Sequence, residues 1–254
     1  MRTAIKFAYD GRKFQGYARQ PQLETVEGEV IKALIKHGFI EDTVESFFRS
    51  ASRTDKGVSA LGNTIAFNTI VYKKNILKEL SNEFTNILVY GVEEVEPDFN
   101  PRYARFRHYS YYLNVKNMDV EKIVSSAAVF TGEHNFSNFA RIEPFKDPVR
   151  TIDNIVFTQE KHFLVIDFYA QTFLWNQIRR IISALKKIGL DELAKEQVVE
   201  ALCNPDKKVD FGLAPAEPLI LKNIIYDFEF EYDKKLITRL DDFEKKIINF
   251  CRSA

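Results

Sequence analysis

Arg49-Ser-Ala-Ser-Arg-Thr-Asp-Lys-Gly-Val-Ser-Ala-Leu-Gly-Asn-Thr-Ile-Ala-Phe-Asn-Thr-Ile-Val71 changes character midway. Its front half is small, polar and turn-prone. Over residues 64–71 it turns apolar and β-branched, which reads as a strand. The turn carries one carboxylate, Asp55, between Arg53 and Lys56, and Gly57 lets the chain reverse at low steric cost. An adjacent positive charge favours an ionised carboxylate. Such a group suits a nucleophile or an electrostatic partner better than a general acid. Thr-Asp-Lys-Gly is also ordinary turn chemistry, and a solvated turn ahead of a strand accounts for the same residues.

Working outward, residues 3–9 form a short β-prone run with Ile5, Phe7 and Tyr9 on one face, ending at the turn pair Asp10-Gly11. The loop at 12–21 interleaves Arg12, Lys13 and Arg19 with Phe14 and Tyr17, which suits phosphate pairing and base stacking. A surface loop whose aromatics tuck into the core is the reading those residues favour on their own. Thr25 caps a predicted helix whose first turn holds Glu27 and Glu29, with Val26, Val30, Ala33 and Leu34 on one face and a stop near Gly38. A helix over 76–84 and a strand over 87–95 follow. The order β-loop-α-β-α-β predicts a split βαβ unit, a helix-backed sheet of ferredoxin-like type. Residues 98–101 read as a hinge before a proline, so the expected halves are 1–100 and 101–254.

The second half opens on Arg102, Arg105 and Arg107, followed by a strand with Tyr109, Tyr111 and Tyr112. Tyr109 and Tyr111 share a face and Tyr112 points the other way. A helix is expected over 120–130, a polar-aromatic loop over 132–139, and paired strands over 149–159 and 163–171. The helix over 173–188 carries an apolar stripe from Leu174 to Ile188, with Trp175, Asn176, Arg179 and Arg180 near its start. A helix over 196–203, a rigid loop at 214–218, a strand over 219–231 and a terminal helix over 240–251 complete the reading.

Composition narrows the function classes. The chain has 254 residues, 45% of them hydrophobic, with Lys+Arg 36 against Asp+Glu 36. That is a globular composition with a real core. Two distant cysteines, Cys203 and Cys251, fit a reducing compartment rather than a disulfide framework or a thiolate zinc site. No signal peptide and no apolar run of transmembrane length are read, so a soluble, cytoplasmic protein is expected, with no membrane partner. The four histidines are scattered, and no Gly-rich phosphate loop or His-Glu metal spacing is read. No metal and no cofactor are therefore expected. The cations gather beside the loops: Arg12, Lys13, Arg19, Arg49, Arg53, Lys56, Arg102, Arg105, Arg107, Arg179 and Arg180. A neutral protein can thus carry a basic cleft, and RNA is a reasonable partner.

Arg53-Thr-Asp-Lys-Gly-Val-Ser-Ala60 resembles the central motif of the TruA-type tRNA pseudouridine synthases, in the archaeal and eukaryotic style. Companion segments match in the family's order: Tyr9-Asp-Gly11, Gly16-Tyr17, residues 99–111, 132–139, 173–180 and 214–217. The resemblance implies an α+β fold of two ferredoxin-like or RRM-like halves. They would form one extended, mainly antiparallel sheet with helices on one face and a central active-site cleft. It implies isomerisation of uridine to pseudouridine in tRNA without a cofactor. Asp55 would be the nucleophile and Tyr109 would stack on the target base or assist proton removal. Arg179 would pair with Asp55, and Arg53 would fill the space of the flipped base. Lys56, Arg19 and Arg12 complete the expected substrate-binding set.

The family's bacterial members modify roughly positions 38 to 40 of the anticodon arm, and shape readout lets relatives shift to other positions. The bacterial pattern has glycines where this chain has Ser50 and Ser52, a histidine where it has Ser59 and histidines where it has Trp175 and Asn176, and Lys56 replaces a small residue. These departures bear on the exact uridine and on the homodimer known in bacteria, not on the chemistry. Two alternatives remain from the residues: a catalytically silent RNA-binding protein on this fold, and a hydrolase using Asp55 with a metal.

Overall fold

The computed structural model describes residues 1–253. In chain order its first strands and helices are β1 (Arg2–Tyr9), α1 (Val26–Lys36), β2 (Arg49–Ser50), β3 (Ser59–Asn68), α2 (Lys73–Leu80) and β4 (Ile87–Val95). Next come β5 (Phe106–Asn114), α3 (Val120–Ala127), β6 (Gly132–Asn135), β7 (Val149–Ile152), β8 (Asn154–Glu160) and β9 (Phe163–Ala170). The chain ends with α4 (Gln177–Gly189), α5 (Lys195–Cys203), β10 (Leu219–Ile225), β11 (Glu231–Tyr232) and α6 (Lys234–Cys251). Two compact units result: Met1–Arg105 with Ile220–Ala254, and Phe106–Leu219. The sequence places its boundary at 100/101; the first unit runs to Arg105 and takes the chain back from Ile220 onward.

In the first unit β1 pairs antiparallel with both β3 and β4, and β2 adds to the far side of β3. The spatial order β4-β1-β3-β2, from a β-α-β-β-α-β chain order, is the ferredoxin-like arrangement expected. Every residue of β1 is buried, not only one face of it. Two cations are enclosed with it and find carbonyls: Arg2 Nε donates to Phe99 O at 2.6 Å, and Lys6 Nζ donates to Ile224 O at 3.2 Å. Lys6 also lies 5.2 Å above the Phe230 ring. α1 starts where Thr25 Oγ1 accepts from the Gly28 N–H at 3.2 Å. α2 packs on β4, and α6 on β3 and β4.

In the second unit β5, β9 and β8 form an antiparallel run, and β6 pairs with β7. α3 packs against α4 so closely that a side chain at Gly189 would stand 2.7 Å from Ile123 Cδ1. Phe130, Phe136 and Phe139 are fully buried. The fold is thus mixed α/β with mainly antiparallel sheet, as expected.

Several local expectations differ. The helix expected from Phe173 begins at Gln177, because Trp175 is bridged to Arg141 and Asn176 takes a left-handed conformation at φ 63°. The polar-aromatic loop at 132–139 starts as strand β6, while Phe136 and Phe139 turn into the core. The strand expected over 149–159 breaks at Asp153, whose N–H donates to Tyr169 O at 2.8 Å. The strand expected over 219–231 breaks after Ile225. There Tyr226, Phe228 and Phe230 form an aromatic cluster with Phe99, and Tyr226 Oη donates to Pro101 O at 2.7 Å. α6 starts at Lys234, six residues early, because Asp233 accepts from the Lys235 and Leu236 N–H groups.

Lys6 is 4% exposed, and burial lowers its pKa from 10.5 to about 8. A lysine lowered on folding costs stability that is fully present below pH 8 and fades as pH rises to 10.5. At 1.36 kcal/mol per unit that cost is on the order of 3 kcal/mol. Lys6→Met should therefore exceed the parent in stability at pH 7, and its advantage should shrink steadily between pH 8 and 10. Urea unfolding of both proteins across that range checks this. The difference cancels Tyr17 and Tyr90, whose burial-raised pKa values remove stability only above pH 10.

Candidate active site

β2 is only two residues long and pairs with the far end of β3, Arg49 facing Ala66 and Ser50 facing Ile65. The hairpin continues just far enough for Ala51 N to reach Thr64 O at 2.9 Å and for Asn63 Nδ2 to reach Ser52 O at 2.9 Å. Beyond that point the same edge of β3 belongs to β10, which runs parallel to it with Ile220 facing Ser59 and Leu221 facing Ala60. Residues 53–58 therefore cannot stay on the sheet edge, and they leave it as a loop. Asp55 rides on that loop.

The loop is held by its inward residues. Thr54 is buried, and its Oγ1 meets Tyr9 Oη at 2.8 Å while its carbonyl accepts from Tyr17 N–H at 3.3 Å. Val58 N–H returns to Asp55 O at 3.1 Å, closing a turn that Gly57 completes at φ 90°. Asp55 itself is half-buried, and Arg53 and Lys56 on either side are exposed. Among the described residues neither Arg53 nor Lys56 has an ion-pair partner.

Behind the loop, Tyr17 Oη donates to Ser50 Oγ at 2.9 Å, and Ser50 Oγ donates to Glu27 Oε1 at 2.7 Å. Glu27 Oε2 accepts from Arg19 N–H at 3.0 Å. Burial raises the Tyr17 phenol well above its ordinary range, so it stays a neutral donor. The aromatics of the 12–21 loop are thus core groups: Phe14 and Tyr17 are buried, and they offer no stacking surface.

The expected binding cations differ in availability. Arg12 is bidentate on Asp10, at 2.7 and 2.6 Å, and lies 3.9 Å from the Phe250 ring centre on α6. Its hydrogen bond to Asp10 raises its pKa further. Arg19 is exposed, and its guanidinium reaches the Thr43 hydroxyl at 3.2 Å.

Tyr109 and Arg179 belong to the second unit. Tyr109 sits on β5 opposite Phe168, half-buried, with Phe173 edge-on at 5.4 Å and 87°. Arg179 lies in the first turn of α4, where its Nε donates to Ala214 O at 2.8 Å and its carbonyl accepts from Ala214 N–H at 3.2 Å. The 214–218 loop also accepts from Tyr111 Oη at Pro215 O and from Tyr112 N–H at Pro218 O, at 3.2 and 3.1 Å. One proline-rich loop therefore braces both the strand of Tyr109 and the helix of Arg179. Neighbouring arginines are committed elsewhere: Arg180 pairs with Asp210 at 2.7 Å, and Arg107 donates to Gln171 O.

Among the described residues, no group of three or more His, Cys, Asp or Glu is placed to hold a metal ion, and no helix is long and apolar enough to cross a membrane. The supports Tyr9, Thr54, Glu27 and Ser50 carry no site role in the sequence reading, and the Asp10-Gly11 turn pair, read there only as the end of a strand, lies in contact with the Asp55 loop.

That contact is close. A Cβ on Gly11 would stand 1.9 Å from Val58 O, and Gly11 N–H donates to Ser59 Oγ at 3.1 Å. Gly11→Ala must displace the backbone of the Asp55 loop, which overpacking of this kind makes cost about 2 kcal/mol or more. Thermal unfolding should show that loss, together with a fall in activity.

A family model described as tRNA pseudouridine synthase matches residues 127–227. A Thermococcus sibiricus protein named tRNA pseudouridine synthase A is 46% identical over 244 residues, covering 94% of this chain and 91% of that protein. Its counterpart by name in Thermococcus kodakarensis is 40% identical over 259 residues, covering 100% of this chain and 97% of that protein. One from Methanobrevibacter smithii is 35% identical over 274 residues, covering 96% and 93%.

Proposed function

The chain belongs to the TruA-type tRNA pseudouridine synthases, and on that premise we propose how its own residues act. It is an isomerase that converts uridine to pseudouridine in tRNA. The uracil is cut from its sugar nitrogen bond and rejoined through carbon. The carbon that gains the sugar loses its proton and the freed nitrogen takes one, so the composition is unchanged. We place the target in the anticodon stem-loop, at roughly positions 38 to 40, where the base must leave its stack at a cost of a few kcal/mol. We place the enzyme in the cytoplasm with its substrate.

The observation that carries the assignment is the loop of Asp55. A half-buried carboxylate is fixed by Thr54 and Val58 on the inward side, with Arg53 and Lys56 turned outward. Fixing the backbone on both sides of Asp55 orients its carboxylate, as nucleophilic catalysis requires. We assign the nucleophile to Asp55 and its charge complement to Arg179. Tyr109 is the group against the target base. Arg53 occupies the gap left by the flipped base, and Lys56 and Arg19 pair with phosphate. Arg12 comes to the substrate already neutralised by Asp10, so its contribution is mainly to hold the Asp10-Gly11 turn.

Asp55→Asn should abolish pseudouridine formation while tRNA binding stays within a few-fold, since the carboxylate serves chemistry rather than affinity. Carbodiimide primer extension on unmodified tRNA transcripts reads the reaction and names the position together. Full activity in that variant would sink the assignment. Tyr109→Phe keeps the ring and loses the hydroxyl; a rate drop of about 100-fold is expected if that hydroxyl moves the proton, and an unchanged rate leaves Tyr109 as a packing platform only.

A further inference from the structure

The interleaving of aromatic and cation that closes into the core at residues 12–21 is found open to solvent elsewhere, in the second unit. Trp175 is the only tryptophan of the chain and keeps 43% of its surface exposed. The guanidinium of Arg141 lies over its ring, 4.1 Å from the centre. The pair is held by backbone, because Arg141 N–H donates to Trp175 O at 2.8 Å in an isolated antiparallel bridge. Just after the ring the chain takes the left-handed turn at Asn176, and Leu174 N–H is capped by Gln177 Oε1 at 2.8 Å. Both constraints stop Trp175 from joining α4. Asn176 Oδ1 in turn accepts from Arg179 Nη1 at 3.4 Å, so the indole stands one hydrogen-bonded step from Arg179.

Here the ring is rigid, planar and already stacked on a planar cation. That arrangement suits another flat π system, with the guanidinium free to tilt toward a phosphate. Charge attraction alone does not explain the patch: Arg141 and Lys146 share their exposed loop with Glu143 and Asp147, so its net charge is close to zero. Stacking is the interaction that remains. We propose that Trp175 with Arg141 is an RNA contact site that stacks an unpaired nucleotide of the tRNA beside the target uridine. It rests on the reading that the substrate is tRNA. Fully exposed Phe145 lies four residues beyond Arg141 on the same loop.

Because the chain has one tryptophan, its fluorescence reports this site alone. Titrating the wild-type protein with unmodified tRNA should quench that emission with saturation, and a short unpaired oligonucleotide should do so more than a duplex of equal length. Trp175→Leu should weaken tRNA binding about tenfold, Trp175→Phe by no more than about threefold, and Arg141→Gln should fall between them. Quenching with this order of variants establishes the contact. Unchanged emission at saturating tRNA, or a Trp175→Leu protein that binds as tightly as the parent, overturns it even if pseudouridine is still formed. Quenching by tRNA from a protein that forms no pseudouridine would keep the contact and remove the proposed reaction. Arg141→Gln and the wild-type titration decide the matter should Trp175→Leu fail to fold.

Discussion

Gly11 and Val58 approach so closely that no side chain fits between them, and the geometry of the Asp55 loop follows from that contact. The loop leaves the sheet because β10 takes the edge of β3 that a longer hairpin would have used. It would be an open excursion if nothing backed it. The Asp10-Gly11 turn backs it from one side, pinned by Arg12 between Asp10 and the Phe250 ring of α6. Tyr9 and Tyr17 back it from the other side through the hydroxyl and carbonyl of Thr54. Tied at Thr54 and again between Asp55 O and Val58 N–H, the loop leaves the Arg53 and Lys56 side chains exposed and that of Asp55 half-buried. The C-terminal helix thereby supports a loop about two hundred residues earlier in the chain.

The second unit solves the same problem with a different device. Tyr109 gains its orientation from a regular strand and an edge-on Phe173, and Arg179 from the first turn of a helix. Neither element could hold a long side chain by itself. The 214–218 loop holds Arg179 directly and the strand of Tyr109 through Tyr111 and Tyr112, and its prolines reduce the conformational freedom that ordering it would otherwise cost. It receives hydrogen bonds from Tyr111, Tyr112 and Arg179, so displacing it would disturb strand and helix at once.

Much of this was legible locally. The Thr25 cap, the stop at Gly38 and the limits of β4 follow from side-chain chemistry and periodicity within a few residues. What was not legible depends on distant chain. β3 starts at Ser59 rather than near Thr64 because β10 pairs with its polar first residues. α4 starts late because Arg141 bridges Trp175. The 219–231 run has strand composition throughout, yet it breaks where its aromatics find Phe99. Phe14 and Tyr17 are buried, as the core reading of the 12–21 loop has them, although a pattern of residue types carries no information on which way the loop faces. At the site, the turn chemistry singled out Asp55 and Gly57. The roles of Tyr109 and Arg179 came from resemblance alone, since no local signal marks a tyrosine in a strand or an arginine in a helix for chemistry.

The same distinction explains how a chain with formal net charge +0 can handle a polyanion. Attraction over long range needs net charge, and this chain has none to spare beyond a Debye length. What matters is which cations are already spent. Arg12 is held bidentate by Asp10 and Arg180 is paired with Asp210, while Arg105 and Asp227, both largely exposed, form only a weak surface pair. Arg53 and Lys56 are exposed on a rigid loop either side of Asp55, so their fields fall where the loop points. A protein arranged this way gains little from nonspecific capture of phosphate. Under the roles proposed for Arg53 and Lys56, affinity comes from contacts that require a particular shape: a nucleotide out of its stack, and a backbone that passes those two cations as it leaves. Selectivity for a folded RNA then follows from the fold that holds the cations, not from their number.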